Sequence, residues 1–213
     1  MVRVRVRQHV NPLSFKYQQP IQLPDWSTVY TNINQPFHLD LGCARGKFLI
    51  SLAQIQTEMN FLGIEIRQPL VKDATKEVEK LGLKNVYFLF GNANNYLKQI
   101  LASIPQLQLQ SVTIQFPDPW FKKRHEKRKI VQQDLVNVLD EYLLPGGIVF
   151  LQSDLEKIAQ EMCDRFIIHP GFTKKHPETW LELNPFSIAT EREKVTLDKN
   201  QPVYRVLFQK NLI

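Results

Sequence analysis

Apolar positions along the chain form short compact runs, and these alternate with stretches of helical spacing. Residues 37–41, 61–66, 85–90, 111–116 and 148–151 are runs rich in β-branched and aromatic side chains, bounded by turn residues. Each predicts a buried strand. Between them, Phe48, Leu49, Leu52 and Ala53 share one side of a predicted helix. So do Val71, Ala74, Val78 and Leu81, then Val131, Leu135, Val138, Leu139 and Tyr142, then Leu155, Ile158, Ala159, Met162 and Phe166. Gly82 follows the second of these as a helix C-cap would. Leu144-Pro145-Gly146-Gly147 reads as a turn, and residues 203–208 as a closing strand. Strand and helix alternating in this way predict a three-layer α/β fold with a mainly parallel sheet.

The first residues follow neither period. Residues 11–34 hold Pro12, Pro20, Pro24, Tyr17 and Trp26 and predict a segment that wraps the domain. Val2 to Arg7 alternate Val with Arg, as a strand would or as an extended arm that orders on RNA. The expected division is a basic arm and wrapping segment over 1–34 and a single domain over 35–213.

Length and charge narrow the class. At 213 residues the chain can bury one full core. The formal net charge is +6, and it is concentrated. Residues 122–129 carry six Lys or Arg against Glu126 alone, and Arg3, Arg5 and Arg7 precede any acid. The remainder is slightly acidic. Such an arrangement points to a polyanion docked on one face. No apolar run approaches the roughly 18 residues of a membrane span, and the N-terminus lacks the apolar stretch of a signal peptide. Cys43 and Cys163 form no Cys-x-x-Cys pair, so reduced thiols in the cytoplasm are expected. The five histidines lack metal-ligand spacing, and no metal is expected.

Candidate chemistry collects at strand ends. Asp40, Glu65, Asn92, Asp118 and Asp154 all fall at the carboxyl end of a predicted strand or in the loop after it, where open α/β sheets bind ligands. Gly42 and Gly46 bracket a strand-to-helix turn whose backbone can approach a ligand closely. Glu65 lies about 20 residues further on, where an acid can hold ribose hydroxyls. Asn92 is placed to meet an adenine edge or simply to cap a helix. A nicotinamide cofactor would favour Gly-x-Gly-x-x-Gly and a pyrophosphate at the helix N-terminus. Here Asp40 stands beside Gly42-x-x-x-Gly46, which repels a pyrophosphate and suits a cationic ligand such as S-adenosyl-L-methionine. Phe116-Pro117-Asp118-Pro119-Trp120 fixes Asp118 in a turn, because proline stops the strand and restricts its predecessor. The cationic run follows directly.

The chain resembles the bacterial tRNA (guanine-N7-)-methyltransferases over nearly its full length. The resemblance is carried by residues 5–13, 40–46 and 61–67, by Phe116-Pro117-Asp118-Pro119-Trp120 with its basic tail, and by Thr190-Glu191-Arg192-Glu193. It implies a class I methyltransferase fold of Rossmann-like type, a seven-stranded sheet with an antiparallel C-terminal strand. It also implies transfer of a methyl group from S-adenosyl-L-methionine to N7 of guanine 46 in the tRNA variable loop, with no obligatory protein partner. By motif position, Asp40, Gly42, Gly46, Glu65, Asn92 and Asp118 line the cofactor. Lys122, Asp154, Thr190, Glu191, Arg192 and Glu193 meet the substrate base, and Arg124, His125, Glu126, Lys127, Arg128 and Lys129 meet the RNA. Two departures stand out. Ala44 replaces a usual glycine, so the turn must avoid positive φ there or accept roughly 1–2 kcal/mol of strain. Asn92 replaces a common acid.

The implied chemistry is physically coherent. Guanine N7 carries an in-plane lone pair and no proton, so alignment rather than base catalysis is the task. Asp118 is the candidate catalytic residue, steadying the positive charge that moves into the purine. Trp120 can stack on a nucleobase or anchor the core. Glu193 can accept guanine N1–H and the N2 amine together, or close a Thr-x-x-Glu capping box. Residues 194–197 read more like strand than helix, which favours recognition. The alternatives are methylation of an exocyclic amine, whose enzymes use an Asp- or Asn-Pro-Pro-aromatic turn, and a non-catalytic RNA-binding module.

Overall fold

The computed structural model describes residues 10–212. Seven strands form one sheet in the order β3-β2-β1-β4-β5-β7-β6. They are β1 (Phe37–Leu41), β2 (Asn60–Glu65), β3 (Val86–Phe90), β4 (Leu109–Gln115), β5 (Leu143–Ser153), β6 (Phe172–Lys174) and β7 (Tyr204–Lys210). The first five run parallel, and β7 pairs antiparallel with both β5 and β6. The helices are α1 (Trp26–Val29), α2 (Lys47–Ile55), α3 (Gln68–Leu81), α4 (Ala93–Ala102), α5 (Gln133–Tyr142), α6 (Glu156–Ile167) and α7 (Glu191–Asp198).

Two apolar layers flank the sheet. Leu97, Ile100, Leu135, Leu139, Met162 and Phe166 from α4, α5 and α6 pack on one face. Phe48, Leu49 and Leu52 of α2 and Val71 and Ala74 of α3 pack on the other. Strand order reverses between β1 and β4, so a crevice opens there at the carboxyl ends. Gly82 ends α3 in the left-handed region at φ 66°, and its N–H bonds the carbonyls of Val78 and Glu79, as the sequence predicts.

The described part of the wrapping segment is tied down by polar anchors. Trp26 and Tyr30 are buried in the core. The Trp26 indole donates to Ser103 Oγ at 2.8 Å, and the Tyr30 hydroxyl to the Phe61 carbonyl at 3.1 Å. The alternating Val and Arg residues of the N-terminal arm lie outside the described residues.

Two expectations change. The turn at 144–147 lies inside β5, as an irregularity. Pairing jumps from Leu109↔Leu143 to Ser111↔Ile148, and Gly146 takes φ 80° to absorb the extra residues. Residues 194–197 are helical, not strand: they belong to α7, which Thr190 opens by accepting the Glu193 N–H at 3.1 Å. α4 was not delimited by apolar spacing, and β6 is only three residues long.

A polar cleft at the switch point, the candidate active site

Asp40 is next to last in β1 and buried. Its Oδ1 accepts from Thr113 Oγ1 at 2.7 Å. Thr113 also meets His38 Nε2 at 3.1 Å, and His38 Nδ1 meets Ser111 Oγ at 2.7 Å. Burial drives the His38 pKa down to about 3, so the ring is neutral. One neutral tautomer satisfies the chain: Ser111 donates to Nδ1, Nε2–H donates to Thr113, and Thr113 donates to Asp40. Burial raises the Asp40 pKa to about 6, while the hydrogen bond from Thr113 and the nearby Gln115 amide oppose that rise. Phe186 covers the polar line from outside, with ring centroids 5.4 Å from His38, 5.7 Å from Phe48 and 5.6 Å from Phe150.

After Asp40 the chain turns through Gly42 at φ 84° and Gly46 at φ 68°. A Cβ at Gly42 would meet nothing within 4 Å, so the turn faces open space, whereas one at Gly46 would strike the Phe88 ring at 2.2 Å. Ala44 takes φ 51°, so the turn accepts the strain rather than avoiding it. The Ala44 N–H donates to Glu65 Oε2 at 2.9 Å. Arg67 straddles the same carboxylate, with Nε 2.9 Å from Oε1 and Nη2 3.0 Å from Oε2. Glu65 is thus at the expected place, and both its oxygens are engaged by Ala44 and Arg67.

Asn92 is the N-cap of α4. Its Oδ1 accepts from the Asn94 N–H at 3.1 Å and its Nδ2 donates to the Pro12 carbonyl at 3.1 Å. It serves as the cap that a simpler reading of the sequence suggests, while still lining the cavity.

Phe116 follows β4 and holds φ 48°. A bulky residue in the left-handed region is a strained outlier, and its N–H bond to the Gln152 carbonyl at 2.8 Å helps to hold it. That backbone turn sets Pro117, Asp118 and Pro119 across the crevice. Two cavities meet there. One runs past Ile64, Glu65, Gly91 and Asn92, the other past Asp40, Ala44, Asp154, Thr190 and Arg192. Gly42, Arg67, Gln115, Phe116, Pro117 and Asp118 form their common wall.

Helix α7 closes the second cavity. Arg192 pairs with Asp154, its Nε 3.1 Å from Oδ2, and Lys47 pairs with Glu191. Glu193 faces away. Its carboxylate takes Arg205 at 2.8 Å, Asn184 at 2.8 Å and Gln152 at 3.1 Å, and the residue is 1% exposed. The structure thus places Glu193 in a buried network and not on the cleft wall, with a neighbouring arginine and two amides on its acceptors.

The basic run forms a 3-10 turn over Lys123–Arg128. Lys122, Lys123, Arg124 and Lys127 are exposed. Arg128 instead lies over the Trp120 ring at 5.0 Å, with His125 edge-on to the same ring at 5.3 Å. Lys129 is enclosed by Glu126 at 2.6 Å and Glu161 at 3.0 Å. Glu126 also pairs with Arg165 at 3.1 Å. Of the residues expected to meet the RNA, Arg128 and Lys129 are turned to protein partners, Arg128 to the Trp120 ring and Lys129 to Glu126 and Glu161.

The sequence reading missed Arg67, Gln115 and Gln152. A signal for Gln115 was present. Ser111, Thr113 and Gln115 alternate with Val112 and Ile114, although a central parallel strand is ordinarily apolar on both faces.

The strand order and the cleft at the β1/β4 switch point define a class I methyltransferase fold. Solved structures agree at that level. TrmN from Thermus thermophilus aligns with TM-score 0.55 at 16% identity, over 84% of this chain and 45% of that one. An rRNA methylase from Streptococcus thermophilus aligns with TM-score 0.54 at 13% identity, over 88% and 92%. Residues 34–206 match the family described as "Putative methyltransferase". The tRNA (guanine-N(7)-)-methyltransferase of Microcystis aeruginosa is 59% identical over 98% of this chain and 99% of its own length. That of Trichormus variabilis is 54% identical over 97% and 96%. The chain belongs to the tRNA (guanine-N7-)-methyltransferase family.

Proposed function

We propose that the chain methylates N7 of a guanine in tRNA with S-adenosylmethionine, the reaction for which its relatives are named, and that the target lies in the variable loop. The observation that carries the geometry is Asp118, held by a strained turn on the wall common to both cavities. The first cavity suits an adenosine, with Glu65 toward the ribose and Asn92 toward the base. The second suits the methionine end, with Asp40 toward the ammonium. The fit rests on shape and charge together: a buried acid beside a glycine turn that opens onto empty space. S-adenosylmethionine, when bound, supplies the electrophilic methyl group.

The chain's own residues then align and stabilise. Asp118 steadies the charge that develops on the purine. Lys122, Asp154, Thr190, Glu191 and Arg192 border the place for the base, and the exposed cations of the basic turn hold the RNA backbone. The described helices include none long and apolar enough to cross a membrane, and a tRNA substrate supports a cytoplasmic location. The division into a basic arm and wrapping segment over 1–34 and a single methyltransferase domain over 35–213 completes the reading.

The test is digestion of tRNA to nucleosides after incubation with the protein and methyl-labelled cofactor. Label in 7-methylguanosine supports the reading. Label in an N6- or N2-methylated nucleoside would favour the exocyclic-amine alternative, and no label the binding module.

A further inference from the structure

Gln115 ends β4 and sits in the wall common to both cavities. The orientation of its amide is dictated from beyond the cleft. Glu193 and Arg205 form a buried ion pair. The Glu193 carboxylate can only accept, so Gln152 must turn its NH2 toward it. Gln152 Nε2 donates to Glu193 Oε2 at 3.1 Å and to Gln115 Oε1 at 2.7 Å. Gln152 leaves its own Oε1 without a partner, an orphan carbonyl being cheaper than one aimed at a carboxylate. The Gln115 carbonyl is thereby consumed, and its NH2 points the other way. Gln115 Nε2 is buried and has no hydrogen-bond partner. A buried donor left unmade is costly, and such exceptions in a cleft call for an explanation.

Its neighbour supplies one. The Gln115 amide faces Asp40 closely enough to oppose the rise in that carboxyl's pKa. A carboxylate acceptor and an amide donor side by side complement an ammonium and a carboxylate carried on one carbon. We infer that Gln115 binds the α-carboxylate of the cofactor's methionine end, while Asp40 takes the adjacent ammonium. The inference rests on the proposed reading of the cleft as the cofactor site. The ion pair on β7 and α7 thus fixes, through two amides, the polarity of a group on the cleft wall. It also explains how the carboxylate is held where Arg67 is committed to Glu65.

Calorimetric titration without RNA tests this with two probes: S-adenosylhomocysteine, and its analogue with hydrogen in place of the α-carboxylate. The unaltered protein should bind the decarboxylated analogue about tenfold more weakly. Gln115→Leu should lose about tenfold for S-adenosylhomocysteine and nothing for the analogue. Gln115→Glu, isosteric and still able to accept from Gln152, should lose more for S-adenosylhomocysteine, and so covers a folding defect in the leucine variant. Asp40→Asn should weaken both probes, since both carry the ammonium. If Asp40→Asn weakens binding and neither Gln115 variant does, the inference is overturned and the cleft reading survives. If none of the variants matters, the cleft reading fails and the inference with it. If Gln115→Leu leaves both affinities unchanged but raises the KM for tRNA at saturating cofactor, the donor serves guanine O6 and the inference is likewise overturned.

Discussion

Glu193 and Arg205 meet at 2.8 Å with both side chains almost wholly buried. Removing one charge from such a pair leaves the other uncompensated, which costs about 3–5 kcal/mol. Glu193→Gln retains the Thr190 cap, which uses only the Glu193 N–H, so helix initiation should survive while the fold weakens. Urea unfolding should show a loss of that size. An unchanged midpoint with slowed methyl transfer would restore Glu193 to base recognition.

Two buried groups titrate in opposite senses. His38 has its pKa lowered from 6.5 to about 3. Its contribution to stability is full above pH 6.5 and declines as pH falls toward 3, by about 1.4 kcal/mol per unit. Asp40 has its pKa raised from 3.8 to about 6. Its contribution is full below pH 3.8 and is lost as pH rises through 6. His38→Gln removes the first effect alone. Between pH 7 and pH 5 the variant should lose about 2 kcal/mol less than the unaltered protein in urea unfolding. Parallel losses would show that His38 is not held neutral.

On the proposed reading, Asp40 should also set the acid limit of cofactor binding. Affinity for S-adenosylhomocysteine should fall as pH drops below about 6, because protonation removes the charge that faces the ammonium. Asp40→Asn should bind more weakly and lose the dependence. An acid limb that persists in the variant would assign it to another group.

Ala44 pays for its φ of 51°. Ala44→Gly removes about 1–2 kcal/mol of left-handed strain and adds chain entropy to the unfolded state. The balance should be a gain of up to about 1 kcal/mol, read by thermal or urea unfolding. A loss of stability would mean that the alanine methyl makes a contact worth more than the strain.

Cations of the basic turn should divide by exposure. Lys123→Ala with Lys127→Ala should lower the salt slope of tRNA binding by roughly one unit per lost phosphate contact. Lys129→Ala should change the slope less and cost stability, because its ammonium is enclosed by Glu126 and Glu161. An equal slope change in Lys129→Ala would show that it leaves those partners for RNA.

What was legible in the sequence follows from the range of the forces involved. β1 to β5, the C-cap at Gly82 and the turn at Asp118 are local, set by side-chain pattern, glycine and proline. Helix α7 was misread at Val195 and Thr196 because its stability is tertiary, through Arg192 to Asp154 and Glu193 to Arg205. The inward turn of Lys129 depends on Glu161, and that of Arg128 on the Trp120 ring. No local pattern identifies which cations find such partners. Gln115 was passed over because a polar residue inside a buried run does not announce its partner, and only the paired Gln152 reveals its orientation.

Asp118 carries the catalytic assignment. Asp118→Asn should remove most of the single-turnover rate and leave tRNA affinity within a few-fold, measured by rapid quench and filter binding. A near-normal rate would move charge stabilisation to another group.

The central claim is that guanine N7 is the nucleophile, attacking without a base. Substituting 7-deazaguanosine at the variable-loop target replaces that nitrogen with CH and leaves the Watson–Crick edge intact. Methyl transfer to this tRNA should vanish while its affinity stays within a few-fold of the unsubstituted tRNA. Transfer at an unchanged rate would contradict the account.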